Sequence, residues 1–122
     1  MKQHLLGSQL MELPFEERII LLSIVTGLNI TKMKEEYEKG IRDEGGMLAA
    51  YGFQVDIGSL IEIVEDYTEQ FPSPVIKHEK YAVKLSVKDA ENEFYSDFHD
   101  TYCDALFEIV KKLLAKKIIE II

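Results

Sequence analysis

The sequence predicts an α+β fold with a helical N-terminal layer of about three helices, an antiparallel β-hairpin and a long C-terminal helix. Apolar residues recur at helical spacing before residue 71, whereas two runs after residue 80 alternate apolar and polar residues as half-buried strands do. The segment "FPSP" at 71–74 separates the two patterns, because two prolines in four residues exclude a helix interior and a central strand. We therefore expect a single domain over 1–122, with a helical part at 1–71 and the hairpin plus C-terminal helix at 75–122.

The first helix is predicted from "LPFEERIILLSIVTG". Pro14 suits a first helical turn, two glutamates follow where the helix dipole favours acids, and Gly27 stops the helix. The segment is apolar on most sides, so we expect a largely buried helix over about 14–26.

Two further helices are predicted from their N-caps. Thr31 is placed to cap a second helix, which should lie on the surface and end near Gly45 and Gly46. Asp56 is placed to cap a third helix whose apolar residues face inward and whose acids face outward. The segment between them, "MLAAYGFQV" at 47–55, fits either a short helical turn or a strand.

The hairpin is predicted from "YAVKLSVK" and "EFYSDFH", which are joined by a short loop. In the second run, Phe94, Ser96 and Phe98 alternate with Tyr95, Asp97 and His99, which places Asp97 and His99 on the polar face. A two-stranded hairpin is marginal alone. The sheet is therefore completed by "MLAAYGFQV", by "PVIK" or by a second copy of the chain.

The last helix is predicted to begin at Asp100 or Thr101, of which Thr101 forms a capping box with Asp104, and to continue to the end of the sequence. Such a helix spans about 30 Å at about 1.5 Å per residue, so it should overhang an eight-residue strand, which covers roughly 26 Å. One surface of the chain cannot easily bury the isoleucines in the overhang, and we expect a homodimer through this helix. Alternatively, the N-terminal segment "HLLGSQLM" covers them. The interaction residues expected here are Ile118, Ile119, Ile121 and Ile122.

The stretch "NEFYSDFHDTYCDALF" at 92–107 is rich in residues that could form a site, since it contains four acids, one histidine and Cys103. We interpret it as a strand running into a capped helix, with Cys103 as a small buried side chain. Zinc sites bring together two pairs of Cys or His, and His78 near His99 is the one weak alternative. A Cys103–His99 nucleophile is disfavoured by its spacing. We therefore expect no catalytic set, metal site or cofactor.

Paired glutamates offer an enzymatic alternative. Glu35 and Glu38 give E-x-x-E on one predicted helix, and Glu62 and Glu65 repeat that spacing on the next. This arrangement resembles the magnesium site of all-helical nucleotide pyrophosphohydrolases of the MazG type, although that family has Asp where this chain has Glu65. The resemblance implies a metal-dependent nucleotide hydrolase that uses these four carboxylates.

Charge sets limits on the partners. The net charge is −8, which disfavours nucleic acid and anionic membranes, because both are bound largely through Lys and Arg. Residues 47–74 contain five acids and no Lys or Arg, and an acidic surface suits a basic partner protein. The acidic residues expected to take part are Glu62, Glu65, Asp66 and Glu69.

Exclusion of these classes favours a small, acidic, non-enzymatic protein that binds another protein. Inhibitors, immunity or antitoxin-like proteins and phage or mobile-element accessory factors are of this kind. The single cysteine, the lack of a long apolar run and the lack of a secretion signal at the start predict a cytoplasmic location.

Overall fold

The structure, a computed structural model, describes residues 3–40, 51, 54–87 and 92–120. In chain order its elements are α1 (Gly7–Leu10), α2 (Phe15–Thr26), α3 (Ile30–Gly40), α4 (Ile57–Thr68), β1 (Ser73–Lys77), β2 (Lys80–Val87), β3 (Asn92–Tyr95) and α5 (Tyr102–Ala115). The strands form an antiparallel sheet in the order β1-β2-β3. The predicted α+β class is confirmed. None of the described helices is long and apolar enough to cross a membrane.

Helix α2 has the boundaries that the sequence predicts. It starts directly after Pro14 and ends at Gly27, whose φ of 77° lies in the left-handed region that glycine adopts without strain. Arg18 on this helix is an unexpected member of the core, with 8% of its surface exposed. Its guanidinium donates to the carbonyls of Leu10 and Leu13 and to the Tyr37 hydroxyl at 2.7 to 2.9 Å. These acceptors allow the charged group to be buried.

Helix α3 begins two residues earlier than expected. The Lys32 amide donates to Asn29 Oδ1 at 2.8 Å, so Asn29 is the N-cap and Thr31 lies inside the helix. The prediction of Thr31 as the cap is therefore wrong, because a stronger capping side chain, that of Asn29, precedes it by two positions. The predicted end near Gly45 and Gly46 lies outside the described residues.

Helix α4 is capped as predicted, since Asp56 Oδ1 accepts from the Ser59 amide at 2.8 Å. Most of 47–55 lies outside the described residues, but Tyr51 and Gln54 are helical. Next to the cap, the N-terminal segment runs beside residues 55–57, with the Leu5 amide donating to the Val55 carbonyl at 2.9 Å. This pairing brings the N-terminus into the core, where Leu5 is fully buried.

The third strand comes from "PVIK", one of the alternatives that the sequence leaves open. Strand β1 pairs with β2 from Ser73↔Lys84 to Lys77↔Lys80. The two residues of the loop between the strands, His78 and Glu79, both have positive φ, as in the type I′ turn of a two-residue hairpin loop. In the order β1-β2-β3, strand β1 lies at an open edge of the described sheet. Helix α5 packs mainly against β2 and β3.

The C-terminal helix is shorter than predicted. It ends at Ala115, and Lys117 takes a left-handed conformation with φ 59°. The amides of Lys117 and Ile118 donate to the carbonyls of Leu114 and Leu113 at 3.1 and 2.9 Å, which is a Schellman motif. The prediction of a helix that continues to the end and overhangs the sheet is therefore wrong.

This turn folds the chain back toward its own core. Ile119 is 1% exposed and belongs to the core cluster, and Ile118 packs against that cluster. Ile119 is therefore buried within its own chain, and its assignment as an interaction residue stays a prediction. Ile121 and Ile122 lie outside the described residues. The predicted dimer through this helix was based on the overhang, which the structure does not show. The dimer itself stays a prediction.

Candidate functional site

A β-bulge follows β3 and decides where the nearby side chains point. The Ser96 amide donates to the Val83 carbonyl at 2.9 Å, and further on His99 and Tyr81 exchange two backbone hydrogen bonds of 2.7 and 2.8 Å. From the first pairing to the second, the chain advances three positions after β3, from Ser96 to His99, but only two positions in β2, from Val83 to Tyr81. One extra residue is therefore inserted opposite β2.

The inserted residue reverses the alternation that the sequence predicts. Asp97 and Phe98 together lie opposite Ala82, so His99 replaces Phe98 on the face that α5 covers. Phe98 is accordingly 48% exposed. The expectation that His99 lies on the polar face is wrong, because a strict period of two does not survive a bulge.

Glu108 on α5 receives the groups that the bulge turns inward. Its carboxylate accepts from the Asp97 amide at 3.0 and 3.1 Å and from His99 Nε2 at 2.7 Å. Lys112, one helical turn further along α5, reaches the second carboxylate oxygen at 3.0 Å. Only 15% of the Glu108 side chain is exposed. The carboxylate thus joins the bulge to the helix.

The charge state of Glu108 follows from its hydrogen bonds. Partial burial by itself raises the pKa of Glu108, but the hydrogen bonds from His99, Lys112 and the Asp97 amide outweigh it and lower the pKa below its usual range. Glu108 is therefore ionised at neutral pH and can only accept hydrogen bonds. His99 Nε2 must then carry a proton.

The cluster lies at the edge of an open cleft of about 370 Å³ between the N-terminal segment and α5. The cleft is crossed by Gln9, which donates to Asp104 at 2.8 Å, and by Lys111, which pairs with Glu12 at 3.0 Å. Each of these polar groups already has a partner within the chain. We therefore assign these contacts a structural role: Glu108 joins the bulge to α5, and the Gln9–Asp104 and Glu12–Lys111 pairs join the N-terminal segment to α5. The residues lining the cleft are Leu6, Gln9, Glu12, His99, Asp104, Phe107, Glu108 and Lys111.

The stretch at 92–107 otherwise has the predicted strand-to-helix structure. Thr101 caps α5 by accepting from the Asp104 amide at 3.1 Å. Cys103 is fully buried, which closes it to a substrate, and the disfavoured Cys103–His99 nucleophile gains nothing from the structure. Across the described ranges, no three His, Cys, Asp or Glu side chains are grouped to hold a metal ion.

The four glutamates of the enzymatic alternative are all described, and they do not form a metal-binding group. Glu35 and Glu38 are exposed on α3, and Glu62 and Glu65 are exposed on α4. Carboxylates on two helices can share a metal only when the helices pack with those faces together. The geometry therefore gives no support to a magnesium site of the pyrophosphohydrolase kind.

The acidic residues that the sequence assigns to protein binding lie on the outer side of α4. All four are exposed, and none forms an ion pair in the part of the chain that the structure describes. We call this set the acidic face; it consists of Glu62, Glu65, Asp66 and Glu69.

A notch of about 180 Å³ lies between α2 and the acidic face. Ile24 and Val25 of α2 and Ile63 of α4 contribute its apolar lining, and Glu62 and Asp66 contribute its carboxylates. Both carboxylates are exposed, so an entering side chain meets apolar surface together with negative charge.

Sequence reasoning missed one exposed apolar surface, on and before β1. Phe71, Val75 and Ile76 are 53%, 42% and 65% exposed, and none of the five residues of β1 is buried. An apolar pair in the middle of an edge strand is unusual, because edge strands promote association between chains. The apolar "VI" of "PVIK" was the available signal, but only the sheet order shows that it lies at an edge.

No protein-family model, curated protein or solved structure matches this chain.

Proposed function

We propose that the chain is a non-enzymatic protein-binding protein whose acidic face binds a basic segment of a partner protein. Inhibitors, immunity proteins and antitoxin-like proteins act in this way, by covering a functional basic surface of their target. The proposal rests on the position of four exposed carboxylates along one helix, beside a notch of matching chemistry.

The notch is the observation that carries the proposal. A lysine or arginine side chain has an apolar stem and a charged end, and the notch places the half-buried Ile24 and Val25 beside the carboxylates of Glu62 and Asp66. A basic side chain that enters it can bury its stem and pair its charge at the same time. An arginine gains more than a lysine, because its planar fork binds a carboxylate with two hydrogen bonds.

The surrounding charge supports the same partner. Neither Lys nor Arg occurs in residues 47–74, so no nearby residue in the sequence neutralises the acidic face. The resulting negative potential attracts a basic surface and speeds its association. Because exposed charges are screened beyond about 8 Å at physiological ionic strength, this association should weaken as salt is added.

Capture from the source cells with a zero-length carboxyl-to-amine cross-linker tests the proposal. The expected product links Glu62 or Asp66 to a lysine on a basic surface of one partner. The double variant Glu62→Gln/Asp66→Asn preserves the side-chain shapes and removes both charges, and it should lose the partner.

The matched control is Glu35→Gln/Glu38→Gln, which removes two exposed charges from α3 and should keep the partner. The proposal is wrong if the Glu62→Gln/Asp66→Asn variant retains the partner, or if both double variants lose it equally. Equal loss would show that net charge matters and that the notch does not.

A further inference from the structure

The notch has a second set of hydrogen-bond acceptors, at the C-terminal end of α2. In the described part of the chain, the last backbone hydrogen bond of this helix joins the Gly27 amide to the Ser23 carbonyl at 3.0 Å. The Leu28 amide would continue the series by donating to the Ile24 carbonyl, but it donates to Thr26 Oγ1 at 3.3 Å instead. The helix therefore ends without the bond that would cover Ile24.

The carbonyls of Ile24 and Val25 consequently accept no hydrogen bond from any described residue. Both residues line the notch. They belong to the last turn of α2, where the helix dipole places partial negative charge and where no basic residue lies. Unpaired carbonyls at a helix end are bonded by water or by a ligand. The α2 side of the notch therefore suits a cationic hydrogen-bond donor.

The α4 side of the notch also offers acceptors. Glu62 and Asp66 are four residues apart on α4, so their Cβ atoms lie about 5 to 6 Å from each other on one face of the helix. Neither forms an ion pair with a described side chain, and no Lys or Arg is among the described residues that line the notch. Lys32, which follows α2, pairs with Glu36 on its own helix at 3.5 Å. No described cation of the chain therefore neutralises this side.

Acceptors on two elements favour a guanidinium over an ammonium group. A guanidinium carries five N–H donors in one plane, so it can bond acceptors along two of its edges at once. An ammonium has three donors on a single nitrogen and is more strongly hydrated. We infer that the partner residue that enters the notch is an arginine, whose head group bonds the carboxylates of Glu62 and Asp66 and the carbonyls at the end of α2. This inference rests on the proposed function and narrows the basic segment to one that contains arginine.

An arginine in the notch also fixes what a cross-linker captures. A guanidinium stays protonated in proteins and does not react with a carboxyl-to-amine cross-linker. The lysine that such a reagent joins to Glu62 or Asp66 is therefore a neighbour of the arginine on the partner's surface.

Three small probes that differ in the side-chain head group test the inference on the full chain: N-acetyl-arginine methylamide, N-acetyl-lysine methylamide and N-acetyl-citrulline methylamide. Citrulline has the shape of arginine without its charge, and lysine has the charge without the planar fork. Proton–nitrogen correlation NMR follows each titration. The amides of Val25 and Thr26 report on the carbonyls that precede them, and those of Glu62 and Asp66 report on α4. We expect the arginine probe to shift both sets and to bind at least about fivefold more tightly than the lysine probe, with no saturable binding of citrulline.

Two double variants complete the test. Glu62→Gln/Asp66→Asn should abolish the arginine shifts, and the matched control Glu35→Gln/Glu38→Gln should keep them. Equal affinity for arginine and lysine, with both lost in Glu62→Gln/Asp66→Asn, would overturn the inference and leave the proposed function standing. Shifts confined to α4, equal loss in the two double variants, or no saturable binding of the arginine probe would also overturn it. Partner capture from the source cells judges the proposed function separately.

Discussion

Replacing Glu108 with glutamine tests whether the carboxylate joins the bulge to α5. Glutamine has nearly the same shape, but it is neutral and one of its two terminal atoms is a donor. The Asp97 amide, His99 Nε2 and Lys112 Nζ all donate to Glu108. The glutamine oxygen can accept from some of these donors, whereas the NH₂ group is itself a donor and cannot accept from the others.

The size of the effect follows from the burial of each donor. Hydrogen bonds to a charged group contribute about 1.5 to 3 kcal/mol each. The side chains of His99 and Lys112 are 33% and 46% exposed, so water can replace much of what they lose. The Asp97 amide has lost its place in the sheet ladder and donates to the carboxylate at the exposed surface. Because all three donors are at least partly exposed, we expect Glu108→Gln to lower the free energy of unfolding by about 1 to 2 kcal/mol at pH 7.

The stability difference between wild type and Glu108→Gln should shrink as the pH falls. The folded protein holds the pKa of Glu108 below its usual range, so the unfolded chain takes up this proton first as the pH falls. The stabilisation is therefore fully present above the ordinary glutamate pKa and is lost as the pH falls through the lower folded-state value. The gap between wild type and Glu108→Gln should narrow between pH 5 and pH 3.

Urea denaturation followed by circular dichroism at pH 7, 5 and 3 measures this. Glu12→Gln is the matched control, because Glu12 makes one ion pair, with Lys111, and is 52% exposed. Such a surface pair contributes less than about 1 kcal/mol. The assigned role is refuted if the two variants cost the same at pH 7, or if the deficit of Glu108→Gln does not change with pH.

Three further substitutions test the helix ends and the buried arginine, each by urea denaturation. Arg18→Leu leaves the Leu13 carbonyl and the Tyr37 hydroxyl without the guanidinium donor, while the Leu10 carbonyl keeps the Leu13 amide, and should cost about 2 to 4 kcal/mol; a loss below about 1 kcal/mol would show that water replaces the guanidinium. Thr101→Ala should cost about 1 kcal/mol through loss of the α5 cap, and Thr101→Ser should restore most of it. Lys117→Gly should stabilise the protein by about 0.5 to 1 kcal/mol, because glycine adopts the positive φ at this position without strain; destabilisation would mean that the lysine side chain stabilises the turn.

The sequence by itself determined the elements whose signals are local. The boundaries of α2, the Asp56 and Thr101 caps and strand β2 each depend on a few neighbouring residues, and the α+β class follows from their order. The acidic face was also predictable, because the outward positions of an amphipathic helix can be counted along the chain. Where a local signal failed, as with Thr31, a competing signal two positions away was stronger.

Tertiary structure decided everything that depends on contacts between distant segments. A single inserted residue turned His99 toward Glu108, and the sequence does not mark where a strand bulges, because a bulge is defined only relative to the partner strand. The burial of Arg18 required carbonyls from the loop before its own helix and a tyrosine from the next helix. Ile119 became part of the core because a left-handed residue, Lys117, ended α5 early. Helices usually end in this way at a glycine, so a lysine at this position gives no signal in the sequence. The exposed edge at Ile76 exists because β2 lies between β1 and β3, and strand order is a property of the assembled sheet rather than of any one strand.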